Sequence, residues 1–198
     1  SDRCAVFDRC GKGEPMMAVA ELLVDALRKN AQTISFCESL TAGLAASTLA
    51  AVPGASDVLR AGLVTYSDEA KTALAGVDRV LIEQHGAVSS AVAREMARGC
   101  KAVCGTDWAV ALTGVAGPGP QNGHIPGEVW IGLAGPKWTA SMSAAQLVPS
   151  AQARFALLPG GAEPVRVLAG DRNEIRGAAA EAALHGVLKA VSEYPVTG

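Results

Sequence analysis

The spacing of hydrophobic and polar positions changes several times along this chain, and each change marks a predicted element. After Pro15, apolar residues recur at helical spacing to about Asn30, which predicts an amphipathic helix. Residues 33–37, TISFC, then predict a strand. The Ala- and Leu-rich segment 41–51 stops before Pro53 and predicts a helix that packs closely on a sheet.

The rest of the chain continues this alternation of strands and helices. The predicted strands are residues 59–66, 108–113, 128–134 and 139–148, with a closing strand at 165–168. The predicted helices run from Ser67-Asp68 to Gly76, from Ser89 or Ser90 to about Val103, and from a capping box at Asp171–Glu174 to about Ser192. Segment 149–164 has no assignable pattern beyond a loop with some hairpin character. The alternation predicts a single α/β domain, a three-layer α/β/α sandwich around a mixed, mostly parallel sheet.

Composition and charge narrow the range of partners. The chain has 198 residues, 49% of them hydrophobic, which is enough to bury the core of one domain. The net charge is -2 and the sequence has no run of Lys or Arg, so it does not predict a basic surface that would bind the phosphates of nucleic acid. The longest nearly apolar stretch, residues 40–52, is too short to cross a bilayer of about 30 Å. We therefore expect a cytoplasmic protein without nucleic-acid or membrane partners, with a flexible leader over residues 1–14 and one domain over residues 15–198.

The cysteines favour neither a metal site nor a disulfide framework. Their number is odd, and they form no C-x-x-C pair with an accompanying histidine: Cys4, Cys10, Cys37, Cys100 and Cys104. We expect reduced thiols, no metal and no cofactor. Cys100 and Cys104, one helical turn apart, are interpreted as small packing residues, with redox sensing as the alternative.

Three predicted turns follow the carboxyl ends of strands, where open α/β sheets bind ligands. They are residues 38–41, 66–71 and 113–127. Ser39, at the start of a predicted helix, faces free backbone N–H groups that can form an oxyanion hole beside a hydroxyl nucleophile, and a simple N-cap is the alternative. Lys71 is the candidate base, because a partly desolvated lysine can lose its proton near neutral pH, and a surface lysine is the alternative.

The glycine-rich loop between Thr113 and Gly127 lacks the common nucleotide motifs. It has neither the G-K-[ST] of a Walker loop nor the G-x-G-x-x-G spacing of a Rossmann turn. Small residues after a strand let backbone N–H groups approach an anion. The loop is therefore interpreted either as a binding site for a phosphate or carboxamide, or as a plain glycine-rich turn. Of the three histidines, His124 lies in this loop and remains open as a ligand contact, whereas His85 and His185 lie in uninformative settings.

Six segments, in this order, resemble the carboxy-terminal domain of the competence- and damage-inducible protein CinA. They are CESLTAG, VPGASDV, GLVTYSDEAK, HGAVSSAVAREMARG, AVALTGVAGP and GDRNEIR, and they extend from about Ser35 to the final helix. The resemblance implies a nicotinamide-nucleotide amidohydrolase, which converts nicotinamide mononucleotide and water into nicotinic acid mononucleotide and ammonia without a metal. It also implies a homo-oligomer, with a dimer as the expected form.

The same resemblance implies a role for each residue that matches a family motif. Ser39 is the expected nucleophile and Lys71 the general base, and Tyr66 is expected to orient this pair or the substrate. Arg172 is the expected partner of the substrate phosphate. The other implied substrate-binding residues are Glu38, Thr41, Gly43, Thr113, Gly114 and Gly117.

The sequence departs from the usual family pattern at positions that bear on substrate fit. The family usually has E-S-C-T-G-G where this chain has E-S-L-T-A-G, so Leu40 and Ala42 differ. Its loop usually reads G-P-G-G and then K-P-V-G, where this chain has GPGPQNGHIPGE, with Pro120 and Ile125 in altered places. Two main hypotheses follow: a deamidase with a Ser-Lys dyad, and a catalytically silent pyridine-nucleotide-binding or interaction module. Hydrolysis of a different small amide by the same dyad is the third.

Two further expectations concern the extent of the domain. Residues 149–164 look like an insertion relative to the family. Many family members carry an additional amino-terminal domain associated with nucleotide pyrophosphatase activity, and we expect only the amidohydrolase part here.

Overall fold

The computed structural model describes residues 16–194, so the predicted leader over residues 1–14 lies outside the described residues. The helices are α1 Met16–Lys29, α2 Leu44–Ala50, α3 Asp68–Ala75, α4 Arg79–His85, α5 Ser90–Cys104 and α6 Arg172–Glu193. The strands are β1 Ile34–Glu38, β2 Leu59–Val64, β3 Trp108–Gly114, β4 Val129–Ala134, β5 Thr139–Ser143, β6 Ala153–Leu157 and β7 Pro164–Leu168.

The main sheet has five strands in the order β2-β1-β3-β4-β5. Strand β1 pairs in parallel with β2 and β3, whereas β4 runs antiparallel to both β3 and β5. Four of the five strands therefore run in one direction, and the prediction of a mixed, mostly parallel sheet is confirmed. Glu38, the last residue of β1, is paired with Val64 and Leu112 near the ends of β2 and β3. The loops that leave these three strands consequently start from one edge of the sheet.

Helices cover both faces of the sheet, which confirms the predicted three-layer architecture. Helices α1, α2 and α6 pack on one face, over large side chains such as Phe36, Trp108 and Leu112. Helices α3, α4 and α5 pack on the other face, over smaller side chains such as Ala111. Here α5 approaches β4 so closely that a Cβ at Gly132 would overlap the carbonyl of Ala93. Both faces of β1 are buried, as its continuous apolar pattern requires.

Several boundaries differ from the predicted ones because local contacts override the hydrophobic pattern. The predicted helix 41–51 begins only at Leu44, since Ala42 and Gly43 adopt left-handed backbone angles, with φ of +51° and +94°. The predicted strand 139–148 ends at Ser143, where a short 3₁₀ turn begins. Helix α4 lacks a predicted counterpart, although Asp78 caps it by accepting a hydrogen bond from a backbone N–H in its first turn.

The segment before α6 forms a separate hairpin. Strand β6 pairs antiparallel with β7, which confirms the hairpin character expected for residues 149–164. The closing strand predicted at 165–168 is present as part of β7, and its partner is β6 in a separate two-stranded sheet. That this segment is an insertion stays a prediction.

Cys100 is fully buried, as the packing interpretation predicts, and its thiol donates to the Ser35 hydroxyl at 3.3 Å. Cys104 is only half-buried near the end of α5. Cys4 and Cys10 lie outside the described residues. Within residues 16–194, every helix is too short or too polar to span a lipid bilayer.

Candidate active site

The loops after β1, β2 and β3 enclose a cleft of about 290 Å³ at the carboxyl edge of the sheet. Seven of the residues expected at the site line it: Ser39, Tyr66, Lys71, Thr113, Gly114, Gly117 and Arg172. A further wall comes from Gly86, Ala87 and Val88, which follow the unpredicted helix α4. The parallel pairing of β1 with its two neighbours thus brings three sequence-distant turns to one site.

Ser39 and Lys71 face each other on the floor of this cleft. The Lys71 amine lies 3.5 Å from the Ser39 hydroxyl and donates a second hydrogen bond to the Thr65 carbonyl at 3.2 Å. Lys71 is 2% exposed, so its alternative as a surface lysine is wrong. The residue that caps α2 is Gly43, so Ser39 is free of the structural role that an N-cap would give it.

The surroundings of Lys71 lower the pKa of its amine. Burial lowers the pKa of Lys71 below its ordinary value of 10.5, because the charged ammonium loses its hydration. The Asp68 carboxylate, 3.7 Å from the amine, opposes this change of pKa because it stabilises the positive charge. A buried amine with a lowered pKa in a cleft is a candidate catalytic base.

Three residues expected to bind substrate do not line the cleft: Glu38, Thr41 and Gly43. The buried Glu38 carboxylate accepts hydrogen bonds from the backbone N–H groups of Gly43, Ala45 and Ala46 at 3.0, 3.2 and 2.8 Å. Thr41 is also buried, and its hydroxyl has no hydrogen-bond partner among residues 16–194. Glu38 therefore occupies the start of α2, and the expectation that free N–H groups of this helix form the oxyanion hole is wrong.

Arg172 and Tyr66 form the opposite wall of the cleft. The Arg172 guanidinium donates to the Tyr66 hydroxyl at 3.0 Å and to the Gly117 carbonyl. Arg172 is the first residue of α6, whose capping box at Asp171 and Glu174 is formed as predicted. The capping box fixes the start of the helix, and the start of the helix places the guanidinium at the cleft.

Sequence reasoning missed Arg176, one helical turn after Arg172. Its guanidinium donates to the backbone carbonyls of Leu40 and Thr41 at 3.1 and 3.0 Å. Arg176 thereby fixes the turn that carries Ser39. The four-residue spacing of the two arginines, which puts them on one face of α6, is the signal that could have found it.

Comparisons with known proteins show the family of this chain. The family model for the CinA C-terminal domain matches residues 16–153. This chain belongs to the CinA C-terminal domain family. A CinA-like protein of Chlorobaculum tepidum is 40% identical over 182 residues, covering 89% of this chain and 38% of that protein. A CinA-like protein of Rippkaea orientalis is 45% identical over 117 residues, covering 59% of this chain and 28% of that protein. The chain thus spans less than two fifths of the length of these relatives.

Two solved structures of CinA proteins share the fold. Competence/damage inducible protein CihA from Agrobacterium tumefaciens is 26% identical, with a TM-score of 0.75 over 91% of this chain and 97% of that chain. Competence damage-inducible protein A from Klebsiella pneumoniae is 27% identical, with a TM-score of 0.75 over 91% of this chain and 99% of that chain.

Two departures from the usual CinA pattern, Leu40 and Ala42, lie in the turn that follows Ser39. The Leu40 side chain is 4% exposed and packs in the core between the sheet and α1, α2 and α6. Ala42 is exposed and takes a left-handed angle where the family usually has glycine. Leu40 also contributes to the lining of the cleft, whereas Ala42 does not.

The remaining predicted residues of the loop serve mainly to build the cleft wall. The Thr113 hydroxyl donates to the Ala87 carbonyl at 2.7 Å and joins β3 to the segment after α4. A Cβ at Gly114 would crowd the carbonyl of Glu128, so glycine permits the close return of the loop. Gly117 has a φ of +95°, a conformation that favours glycine.

Proposed function

We propose that this protein hydrolyses the carboxamide of nicotinamide mononucleotide to nicotinic acid mononucleotide and ammonia, with Ser39 as nucleophile and Lys71 as general base. The observation that carries the proposal is the 3.5 Å approach of the buried Lys71 amine to the Ser39 hydroxyl. A serine needs a base in hydrogen-bond reach, and Lys71 meets both the distance and the desolvation that this role requires. Membership of the CinA C-terminal domain family agrees with this reaction class.

Acylation uses both members of the pair. The neutral Lys71 amine accepts the Ser39 proton while Oγ attacks the carboxamide carbon, and a tetrahedral intermediate forms. The carbon–nitrogen bond then breaks as the Lys71 ammonium returns the proton to the leaving nitrogen. Ammonia departs, and the nicotinoyl group remains as an ester on Ser39.

Deacylation repeats the same proton transfers with water. A water molecule gives a proton to Lys71 and attacks the ester carbon, the bond to Ser39 Oγ breaks, and the lysine returns the proton to the serine. The oxyanion needs a donor near the nucleophile. Glu38 does not bind the N–H of Leu40, which follows Ser39 and lines the cleft, so we assign this group to the oxyanion.

Arg172 suits the other end of the substrate. Its two hydrogen-bond acceptors, the Tyr66 hydroxyl and the Gly117 carbonyl, are neutral, so its charge is available to a phosphate. Guanidinium binds phosphate through two parallel hydrogen bonds, which fixes orientation as well as affinity. The carboxamide is then directed towards Ser39.

The direct test is incubation of the purified protein with nicotinamide mononucleotide, with ammonia and nicotinic acid mononucleotide measured together. We expect Ser39→Ala to reduce both products to background, while the free energy of unfolding changes by about 1 kcal/mol or less, because one hydrogen bond is lost. Ser47→Ala, an exposed change on α2, is the matched control and should retain full activity. Full activity of Ser39→Ala rules out the serine mechanism.

Binding measurements separate the two hypotheses. A wild-type protein that binds nicotinamide mononucleotide but releases no ammonia is a silent binding module, and the proposed reaction is then wrong. Calorimetric titration of the wild type and of Ser39→Ala with this nucleotide provides that measurement.

A further inference from the structure

His124 and Glu128 form a hydrogen-bonded pair in the wall of the same cleft. His124 Nδ1 lies 2.9 Å from Glu128 Oε1, and the two side chains are 24% and 13% exposed. His124 lines the cleft together with Ser39 and Arg172. None of the steps proposed above uses this pair.

The backbone around His124 is held rigidly. His124 and Gln121 exchange two backbone hydrogen bonds of 2.9 Å across a two-residue turn. The turn residues Asn122 and Gly123 both have positive φ, +50° and +82°, as a type I′ hairpin turn requires. The N–H of Glu128 also donates to the Ile125 carbonyl at 3.1 Å. The imidazole is therefore presented by a preorganised backbone.

The pairing with Glu128 decides which imidazole nitrogen serves a ligand. Because the carboxylate accepts from Nδ1, the proton of a neutral imidazole resides there and Nε2 is an acceptor. Nε2 lies beside Gly86 on the neighbouring wall, where a Cβ would come within 3.5 Å of it. Glycine at this position thus adds no side chain beside Nε2, and both residues line the cleft.

We propose that His124 binds a ribose hydroxyl of the substrate through Nε2, with Glu128 as the residue that positions the ring; this inference rests on the proposed function. The two ends of the nucleotide are already matched, the carboxamide by Ser39 and the phosphate by Arg172. The ribose hydroxyls are the remaining polar groups. A hydroxyl both donates and accepts, so it pairs with neutral and protonated imidazole alike.

The hydrogen-bonding chemistry of His124 supports a specificity role. A neutral histidine whose other nitrogen is held by a carboxylate accepts a hydrogen bond, whereas a lysine ammonium only donates them. Glu128 is the local feature that makes this acceptor available.

The test combines changes in the enzyme with changes in the substrate. kcat/KM is measured for nicotinamide mononucleotide and for its 2′,3′-dideoxy analogue, using the wild type, His124→Phe, His124→Gln and Glu128→Gln. His185→Gln is the matched control, since His185 also faces a glutamate, Glu181, but lies on α6 and outside the cleft lining. Thermal unfolding of each variant shows whether it is folded. If His124→Phe does not fold, His124→Gln replaces it in the test, because glutamine keeps a hydrogen-bond donor towards Glu128.

We expect His124→Phe to lower kcat/KM about tenfold for the natural nucleotide and by less than about twofold for the dideoxy analogue, since one hydrogen bond to the hydroxyl is lost. Glu128→Gln should show the same pattern with a smaller loss, and His185→Gln should change neither value. Equal losses on both substrates, or no loss on either, overturn the assignment of His124. A wild type that does not hydrolyse nicotinamide mononucleotide overturns the proposed function itself, and the assignment of His124 with it.

Discussion

Asp68→Asn tests whether Lys71 is the group whose deprotonation starts the reaction. The Asp68 carboxylate lies 3.7 Å from the Lys71 amine and raises the pKa of that amine, against the larger lowering that burial causes. Asparagine keeps the shape of the side chain and removes the charge. The pKa of Lys71 should therefore fall further, and the neutral amine should be present at lower pH.

The expected magnitude follows from the distance and the exposure of the pair. Two unit charges about 4 Å apart interact by about 1 kcal/mol in a water-like dielectric and by about 4 kcal/mol at an effective dielectric of 20. The Lys71 side chain is 3% exposed but that of Asp68 is 54% exposed, so solvent screens the pair and moves the interaction towards the water-like limit. One kcal/mol corresponds to about 0.7 in pKa.

The assay is the pH dependence of kcat/KM for nicotinamide mononucleotide. Because the reaction needs a neutral lysine, activity should rise with pH through the lowered pKa of Lys71. In Asp68→Asn this rising limb should move to lower pH by about 0.5 to 1, and added salt should reduce the difference from the wild type. Glu69→Gln removes a neighbouring carboxylate of the same helical turn and should move the limb less, because Glu69 affects the Lys71 pKa less.

Two results would refute this reasoning. A rising limb that stays in place or moves to higher pH in Asp68→Asn means that the group it reports is not Lys71. An equal displacement in Glu69→Gln means that the limb responds to net charge and not to the contact at 3.7 Å.

Two further predictions concern the base and the turn beside the nucleophile. Lys71→Arg keeps the positive charge but should lower kcat about 100-fold or more, because guanidinium does not deprotonate in proteins; full activity in the same ammonia assay would exclude lysine as the base. Ala42→Gly should raise the free energy of unfolding by about 0.5 to 1 kcal/mol, because Ala42 has a φ of +51°, which glycine adopts without strain. Gly43→Ala should lower the free energy of unfolding, because Gly43 has a φ of +94°. Urea denaturation measures both values, and a destabilised Ala42→Gly protein would contradict the argument.

The layers of the fold were predictable because long periodic segments carry them. Helix α5 buries five residues along one face, and strand β3 is an apolar run that is buried over nearly its whole length. Helix α4 escaped prediction because only Ile82 of its seven residues is buried, so its sequence holds no periodic apolar face. The irregular start of α2 could not be predicted from the composition of the helix, because the Glu38 side chain, which lies outside the helix, binds its first backbone N–H groups.

The candidate site was predictable as a set of turns but not as a set of contacts. Ser39 and Lys71 are 32 positions apart, and only the parallel pairing of β1 with β2 brings them together. The burial of Lys71 likewise depends on how α3 packs against the sheet, which hydrophobic periodicity does not report. The resemblance implied a substrate-binding role for Glu38, and the sequence did not show that its carboxylate is bonded to the start of α2.

The turn that carries Ser39 exists because two charged side chains hold it against its local preference. A regular helix starting at Thr41 would avoid the left-handed angle of Ala42, which costs about 1 to 2 kcal/mol for a residue other than glycine. Glu38 accepts three backbone hydrogen bonds from the start of α2. Arg176 donates two to the carbonyls of the turn.

Hydrogen bonds to charged groups contribute about 1.5 to 3 kcal/mol each, so bonds of this kind can offset the strain of one alanine. The dependence is mutual, since a carboxylate as buried as Glu38 is stable only where several donors converge on it. A helix that began at Thr41 would withdraw those donors and rotate the chain after Ser39. Glu38 and Arg176, neither of which lines the cleft, therefore hold the turn that follows Ser39.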